Sequence, residues 1–411
     1  MDAHSEPNAA GSADGGASLP SDTATAFRDL SPRTLTVFKW LAGAVNAATV
    51  LVIFILVFAL GTRRDSSLFQ AVLTLLLPGV LLTLTVHECG HWLAACWRRM
   101  FVIQVVIGWL QIQPRRRGVR CRLGRSAVRG LGGYVMACPA AGRDTRRDWI
   151  WLALGGPLAN LAVAAVCAAM VWWLGRSHAQ TVWLLWGALN LSTCLFNLIP
   201  RKLGDIGGTD GLFVARAWLN RFEDLPGATF MILQGRTLGG EAIRDLPPRL
   251  LQRLLDEPAP MPAMHDWLWV YAALEDGELD LACTRFEALS ARVDGFDEPM
   301  RWSLDDMLML ARTDLVFLRV LQDHDAVALD ALNLKSPGFW YAPHVPPRVR
   351  ALAAALRGDA ATARAQLRRS QRYADNSPTP STVSSEARLR EWIQAIIERR
   401  AAVGSPSPSI H

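Results

Sequence analysis

Acidic residues are almost absent between Trp97 and Thr145 of this 411-residue chain, and arginines concentrate in the same stretch. Twelve arginines between Arg98 and Asp148 stand against only two aspartates. Because this basic stretch lies between two apolar runs, it is typical of a loop that flanks a membrane on the cytoplasmic side. The net charge of +6 therefore indicates such a loop and gives little support to a nucleic-acid-binding surface.

The chain has no CxxC pair, and its seven cysteines are odd in number. Several of them fall in apolar runs, which predicts buried thiols and argues against a disulfide framework. The first residues lack the short apolar core and cleavage site of a secretory signal. Residues 1–26 are rich in Ala, Gly, Ser and Asp, so we expect residues 1–35 to form a disordered cytoplasmic N-terminus.

Over the whole chain, 51% hydrophobic residues and a mean hydropathy of +0.17 indicate a membrane protein, and long apolar runs dominate the first half. We predict transmembrane helices at about 40–61, 68–97, 149–174 and 180–200. Pro78 in the second run predicts a kink or a local break in the helical hydrogen bonding. With the basic loop inside, four spans place both termini in the cytoplasm.

Three ionisable side chains, His87, Glu88 and His91, lie near the end of the second run. In a helix, residues four apart share one face, so both imidazoles can converge on a single zinc ion. Ionisable groups in apolar surroundings are costly and need partners, which favours a metal site over a chance pattern. The glutamate beside that face can take a proton from an attacking water and pass it to a leaving amine.

Catalytic zinc sites usually have three protein ligands. Two carboxylates, Asp205 and Asp210, follow the fourth run at the membrane level of the histidines, and both are candidates for the third ligand.

Small and polar residues mark two of the other runs. The cluster at 155–160 ends in Asn160, which predicts either a tight helix contact or an amide that steadies a substrate carbonyl. In the fourth run, Asn190 and Asn197 share one helical face.

The basic loop has two stretches with β character. Residues 101–113 are rich in Val and Ile, and 132–136 follow, so we expect a small β structure beside the membrane. It forms either a packing ribbon or an edge that holds an extended peptide.

Together these motifs resemble the site-2-protease family of intramembrane zinc metalloproteases. The resemblance covers about half of the chain, from the second span to about Gly211. It rests on His87-Glu88-Cys89-Gly90-His91, on Gly-Tyr-Val at 133–135, on Gly-Gly-Pro-Leu-Ala-Asn at 155–160, and on Asn-x-x-Pro at 197–200 followed by Asp210-Gly211.

The resemblance implies one zinc ion per chain, held by His87, His91 and an aspartate, with Glu88 as the general base and acid. It also implies that Asn160 and Asn197 bind the unwound substrate.

The chain departs from the family pattern in the spacer after Pro200, which is longer than the compact form. Asp205 falls nearer the compact spacing, but only Asp210 is followed by glycine, and we therefore prefer Asp210 as the third ligand. No insertion that resembles a PDZ domain is visible, so we do not expect the periplasmic-sensing architecture of some relatives.

The second half has a different organisation, with a connector at 212–258, a helical domain at 259–403 and a disordered tail at 404–411. One spacing of glycine, alanine and a large apolar residue occurs twice, at Gly277, Ala282 and Phe286 and again at Gly358, Ala363 and Leu367. This spacing resembles tetratricopeptide repeats, which stack as helix pairs. An irregular helical bundle is the alternative.

We therefore expect an all-α polytopic membrane protein with a small membrane-associated β element, a membrane metalloprotease core at 36–211 and a C-terminal α-helical repeat domain. Its predicted function is zinc-dependent hydrolysis of membrane-associated proteins or peptides, in a bacterial inner membrane, with a cytoplasmic protein partner for the repeats and no nucleic acid. The competing hypothesis is a non-catalytic scaffold or receptor that works through the repeats. Glu88 argues against it, because a scaffold does not need this glutamate.

Overall fold

The computed structural model describes residues 28–62, 66–124, 132–174, 178–203, 207–225 and 227–403. Four long apolar helices lie in the first half of the chain. They are α1 (Pro32–Thr62), α2 (Ser66–Trp97), α3 (Thr145–Leu174) and α4 (His178–Leu198). A helix rises 1.5 Å per residue, so about 20 residues cross a bilayer core and all four are long enough. Both α2 and α3 continue past an internal proline, at Pro78 and Pro157. Of the segments predicted to be disordered, 1–35 and 404–411, residues 1–27 and 404–411 lie outside the described residues, and α1 begins at Pro32.

Within the described residues, three segments are long and apolar enough to cross a membrane: Pro32–Ile55, Thr145–Leu174 and Ala179–Leu198. They coincide with the first, third and fourth predicted spans. Large apolar side chains on their surfaces are exposed, among them Phe54 and Trp172. Such surfaces are stable only against lipid or protein, so the chain is an integral membrane protein. The second predicted span, 68–97, coincides with α2, and its crossing of the membrane stays a prediction.

A small antiparallel sheet follows α2, as predicted, with the strand order β3-β2-β1-β4. Its strands are β1 (Phe101–Ile107), β2 (Leu110–Pro114), β3 (Val119–Leu123) and β4 (Gly133–Cys138). The sheet therefore confirms the expected β element, whereas its use as a peptide-binding edge stays a prediction.

The two faces of this sheet differ in chemistry because side chains alternate along a strand. On one face, Val105 and Ile107 are buried in a cluster with Ala95 of α2. On the other face, Gln104 and Gln111 are buried and joined by a 3.3 Å hydrogen bond. The apolar face therefore supports α2, the helix that carries the histidines, and the polar face points away from α2.

The remaining described chain is helical apart from two short strands, β5 (Lys202–Leu203) and β6 (Gly207–Gly208). The helices are α5 (Asp210–Leu219), α6 (Ala228–Leu238), α7 (Pro248–Asp256), α8 (Met261–Glu275), α9 (Leu279–Asp294), α10 (Glu298–Asp323), α11 (Val327–Asp330), α12 (Val345–Leu356), α13 (Ala360–Asp375) and α14 (Pro380–Val403). A buried cluster that includes Leu233, Leu254 and Leu268 joins α6, α7 and α8. The predicted connector therefore shares a core with the helices that follow residue 258.

Two helix pairs occur where the repeat spacing predicted them. Gly277 lies between α8 and α9, and Gly358 lies between α12 and α13, each with a positive φ, at +78° and +82°. These left-handed positions favour glycine, which explains the first residue of the repeated pattern. Between the pairs lie the long helix α10 and the single turn of α11, so the assignment as tetratricopeptide repeats stays a prediction.

Candidate metal centre

Three side chains with metal-binding atoms converge where α2 meets the start of α5. The Nε2 atoms of His87 and His91 are 3.1 Å apart. Asp210 places Oδ2 3.1 Å from His87 Nε2 and Oδ1 3.4 Å from His91 Nε2. Ligand atoms about 2.0–2.1 Å from a tetrahedral zinc ion are about 3.3 Å from one another, and the two Nε2 atoms lie at close to this distance from each other and from the Asp210 carboxylate. In the described ranges, this is the one group of three or more His, Cys, Asp or Glu side chains found close enough to share an ion.

Hydrogen bonds at the far ring nitrogens determine the tautomers of both histidines. The Nδ1 of His87 donates to Asn160 Oδ1 at 2.9 Å, and the Nδ1 of His91 donates to the Leu152 carbonyl at 2.7 Å. Each neutral ring therefore turns an Nε2 lone pair towards the Asp210 carboxylate. Three electron-rich atoms at these separations repel one another unless a cation lies among them, and outer hydrogen bonds of this kind are typical of metal-ligating histidines. The residues fit a divalent metal ion.

Asp210 is held in place by the residues on either side of it. Thr209 is buried, and its Oγ1 donates to the Ile199 carbonyl at 2.7 Å, which ties the start of α5 to the end of α4. A Cβ added at Gly211 would overlap the carbonyl of Leu198. The Asp-Gly pair therefore has a steric cause, because only glycine lets this turn of α5 approach α4 so closely.

A buried amide network joins three helices behind His87. The Nδ2 of Asn160 donates to Asn190 Oδ1 at 3.0 Å and to the Thr83 carbonyl at 3.3 Å. In turn, the Nδ2 of Asn190 donates to Thr83 Oγ1 at 3.2 Å and to the Trp186 carbonyl at 2.9 Å. The amide of Asn160 is thus engaged on both sides, and it orients the His87 ring.

Glu88 is buried beside the ligands, with 3% of its surface exposed. Its Oε2 has no hydrogen-bond partner within the described part of the chain. A Cβ added at Gly133 of β4 would lie 2.6 Å from Glu88 Oε1, so the glycine of the Gly-Tyr-Val motif allows the sheet to reach the carboxylate. A buried carboxylate oxygen left without a partner is costly and indicates a functional role.

Close approach between α3 and the histidines depends on Gly156. A Cβ at this position would overlap the Nε2 atom of His91 and lie 2.8 Å from that of His87. We expect Gly156→Ala to displace the imidazoles, to weaken zinc binding strongly and to destabilise the fold by about 1–3 kcal/mol, as overpacking does. Zinc content by atomic emission and thermal unfolding of the purified protein measure both effects.

The matched control is Gly43→Ala in α1, where an added Cβ meets no atom within 4 Å. This variant is expected to retain its zinc and its stability. If Gly156→Ala bound as much zinc as Gly43→Ala, the packing of α3 against the histidines described above would be wrong.

The other predicted site residues have different positions. Asp205 lies in 204–206, outside the described residues. Asn197 lies near the end of α4, and its Nδ2 donates to the Thr193 carbonyl at 3.0 Å. Sequence reasoning missed Thr209 and the link from Asn190 to Asn160, although the place of the threonine directly before the Asp-Gly pair was a usable signal.

Comparison with known proteins supports the same assignment. Residues 75–177 match the family model of Peptidase family M50. This segment contains both histidines, Glu88, the Gly-Tyr-Val motif and Asn160. No curated protein and no solved structure matches the chain. Through residues 75–177, about a quarter of the chain, the protein is similar to Peptidase family M50, the site-2-protease family.

Proposed function

We propose that the chain is an intramembrane zinc metalloendopeptidase that hydrolyses peptide bonds of membrane-associated proteins or peptides. The observation that carries this proposal is the convergence of His87, His91 and Asp210 within 3.1–3.4 Å, next to a buried glutamate. Two imidazoles and one carboxylate are a ligand set that suits zinc and leaves a fourth position open. A zinc ion bound there supplies Lewis acidity, which polarises a peptide carbonyl and makes water a better acid.

Glu88 is the proposed general base and then the general acid. Its carboxylate accepts a proton from the attacking water and later delivers that proton to the nitrogen of the leaving amine. Oε2 is the atom suited to this task, because Oε1 faces Gly133 of β4 and Oε2 has no partner among the described residues. Burial of the carboxylate excludes bulk water, which strengthens its interaction with positive charge at the site.

The two predicted substrate-binding asparagines have unequal support. The Oδ1 of Asn160 accepts from His87 and its Nδ2 is held by Thr83 and Asn190, so we propose that it orients a ligand. Its binding of substrate stays a prediction. Asn197 is only half-buried at the end of α4, and we keep it as the candidate that contacts an unwound substrate.

The topology that we propose has four spans, with both termini in the cytoplasm of a bacterial cell. The arginine-rich segment between α2 and α3 supports this orientation by the positive-inside rule. A cytoplasmic protein partner for the helices after residue 258 remains part of the proposal.

A non-catalytic scaffold that keeps the metal-binding fold is the competing function. Oε2 of Glu88, which has no partner among the described residues, supports the enzyme instead, because its burial destabilises the fold and brings a scaffold no advantage. A comparison of the membrane proteins that accumulate in cells with the Glu88→Gln chain and in cells with the unaltered chain tests the proposal. We expect specific uncleaved proteins to accumulate only with the variant, and identical protein sets in the two strains would contradict proteolysis.

A further inference from the structure

The segment that precedes α1 contacts the helix that begins at Asp210. The carboxylate of Asp29 accepts from Arg216 Nη2 at 2.8 Å and from Arg216 Nε at 3.1 Å, and it pairs with Lys202 Nζ at 3.1 Å. A two-pronged contact between a guanidinium and a carboxylate defines their relative orientation as well as their distance. The N-terminal segment is thereby joined to both sides of the turn that leads into α5.

Backbone contacts reinforce this junction. The Arg28 amide donates to Asn220 Oδ1 at 2.7 Å, and Asn220 Nδ2 donates to the Arg28 carbonyl at 2.9 Å. At the same end of α5, Arg146 donates to the carbonyls of Ala217 and Trp218, each at 2.7 Å. The end of α5 remote from Asp210 is therefore anchored to the N-terminal segment and to α3.

The charge of Asp29 persists at all ordinary pH values. Its hydrogen bond with Arg216 is the largest cause that lowers its pKa, from the usual 3.8 to about 2. Because the folded-state pKa lies below the unfolded value, the contact stabilises the fold above about pH 4 and is lost only as the pH falls towards 2.

We propose that Asp29 is a positioning residue for the metal centre, which it serves by holding α5 so that Asp210 faces the histidines. This inference rests on the proposed function, because it takes Asp210 as the third ligand. Arg216 lies six residues after Asp210 in the ten-residue helix α5, so its contact with Asp29 restrains the same helix that carries the ligand. Thr209 holds the other end of this helix, so Asp29 and Thr209 support it from opposite ends.

The test is a zinc titration of the purified full chain and its Asp29→Asn variant. We expect zinc binding to weaken about tenfold in the variant, at the lower end of what outer-shell changes cost. Hydrogen exchange of residues 210–219 in metal-free protein is expected to become faster in the variant. If both zinc affinity and exchange were unchanged, the positioning role would be refuted.

Two further variants separate this role from general damage. Asp276→Asn removes an ion pair of similar length, 2.8 Å to Arg244, among the C-terminal helices, and it is expected to leave zinc affinity unchanged. Asp29→Asn combined with Arg216→Gln is expected to weaken zinc binding by less than the two single effects added, since both variants remove the Asp29–Arg216 contact. The proposal would be overturned if the losses of zinc affinity in the two single variants added up in the double variant. It would also be overturned if Asp276→Asn lost as much zinc affinity as Asp29→Asn. Failure of the unaltered chain to bind zinc would instead contradict the metal centre, while the exchange of α5 would still report on Asp29.

A second, independent set of contacts joins the sheet to the C-terminal helices. Trp340 lies under two guanidinium groups of β3, with Arg120 Cζ 4.3 Å and Arg122 Cζ 4.5 Å from its ring centroid. Arg120 also donates to the Trp340 carbonyl at 3.0 Å, and Arg122 donates to the Pro337 carbonyl at 3.2 Å. Cations over an indole face are attracted by the ring, so this contact is electrostatic as well as steric.

Asn376, directly after α13, binds the turn between β2 and β3. Its backbone carbonyl accepts from the Arg116 amide at 3.1 Å, and its Oδ1 accepts from the Arg117 amide at 2.7 Å. Its Nδ2 donates to the Arg117 carbonyl at 3.2 Å. We name Trp340 and Asn376 together the sheet anchor.

We infer that the sheet anchor is an intramolecular docking surface through which the C-terminal helices set the position of β4 beside Glu88. This also rests on the proposed function of the glutamate. The anchor holds β2 and β3, the sheet is continuous from β3 to β4, and Gly133 of β4 lies against the Glu88 carboxylate. A rearrangement of the C-terminal helices therefore changes the position of β4 beside the Glu88 carboxylate and leaves the metal ligands in place.

The test is the double variant Trp340→Ala with Asn376→Ala. Its control is Trp392→Ala, which removes a half-exposed indole from α14, away from the sheet. We expect faster hydrogen exchange in 101–123 and peptide hydrolysis slowed about 2- to 30-fold, the usual range of such coupling, with unchanged zinc affinity. Unchanged exchange, or an equal effect of Trp392→Ala, would overturn the docking role. Faster exchange with undiminished hydrolysis would refute the coupling to Glu88.

Discussion

Replacement of Glu88 by Gln is expected to abolish peptide hydrolysis and to leave zinc content and fold intact. Glutamine has nearly the same shape but cannot accept and carry a proton, so the loss isolates the acid and base role from packing. General acid and base groups contribute about 10²- to 10⁴-fold to the rate, and we expect a decrease of that order. The measurement is the rate of cleavage of a membrane-embedded peptide by purified protein in detergent or nanodiscs, at equal zinc content.

Glu398→Gln is the matched control, because it makes the same chemical change at an exposed position of α14. It is expected to cleave at the unaltered rate. Undiminished cleavage by Glu88→Gln would contradict the assigned role, and loss of zinc in that variant would show that the glutamate is a ligand.

Asp210→Asn is expected to lose zinc, whereas Asp205→Asn is expected to keep it. The carboxylate of Asp210 lies 3.1–3.4 Å from the two Nε2 atoms, and a neutral amide there cannot offset the charge of a divalent ion. Removal of a direct ligand should cost more affinity than the about 10- to 100-fold that outer-shell changes cost. Zinc content after dialysis against a weak chelator measures the difference.

This pair of variants makes the same substitution at two aspartates that are five positions apart in the sequence, so their comparison cancels general effects of the substitution. The activities should follow the zinc contents. Retention of zinc by Asp210→Asn together with its loss from Asp205→Asn would reverse the assignment of the third ligand.

The central features of the site could be predicted because they are encoded in short motifs. Spacing by four residues brings His87 and His91 to one face of α2, and this needs only helical geometry. The preference for Asp210 over Asp205 rested on the following glycine. The packing of Gly211 against the Leu198 carbonyl shows the physical reason for that pair.

The supports of the site could not be predicted in the same way. Asp29 and Arg216 are 187 positions apart in the chain, and Arg120 and Trp340 are 220 apart. No periodicity links such residues, because their contact depends on how whole helices pack. The engagement of Asn160 with His87 also depends on the crossing of α2 and α3, which helical patterns leave open.

The secondary structure followed from the sequence to different degrees. Apolar length predicted the helices, and the Val- and Ile-rich residues 101–113 with 132–136 predicted the sheet, whose observed order is an antiparallel β3-β2-β1-β4. The predicted connector at 212–258 contains α5, α6 and α7, and a cluster with Leu233 and Leu268 joins it to the next helices. The amphipathic pattern of a short helix shows which face is buried, but it does not reveal which other helices share that core.

X-ray absorption at the zinc edge of the purified full chain tests the metal centre most directly. We expect one zinc ion per chain, with two imidazole nitrogens and oxygen at about 2.0–2.2 Å. The absence of stoichiometric zinc, or a shell of sulfur at about 2.3 Å, would contradict a site made of His87, His91 and Asp210.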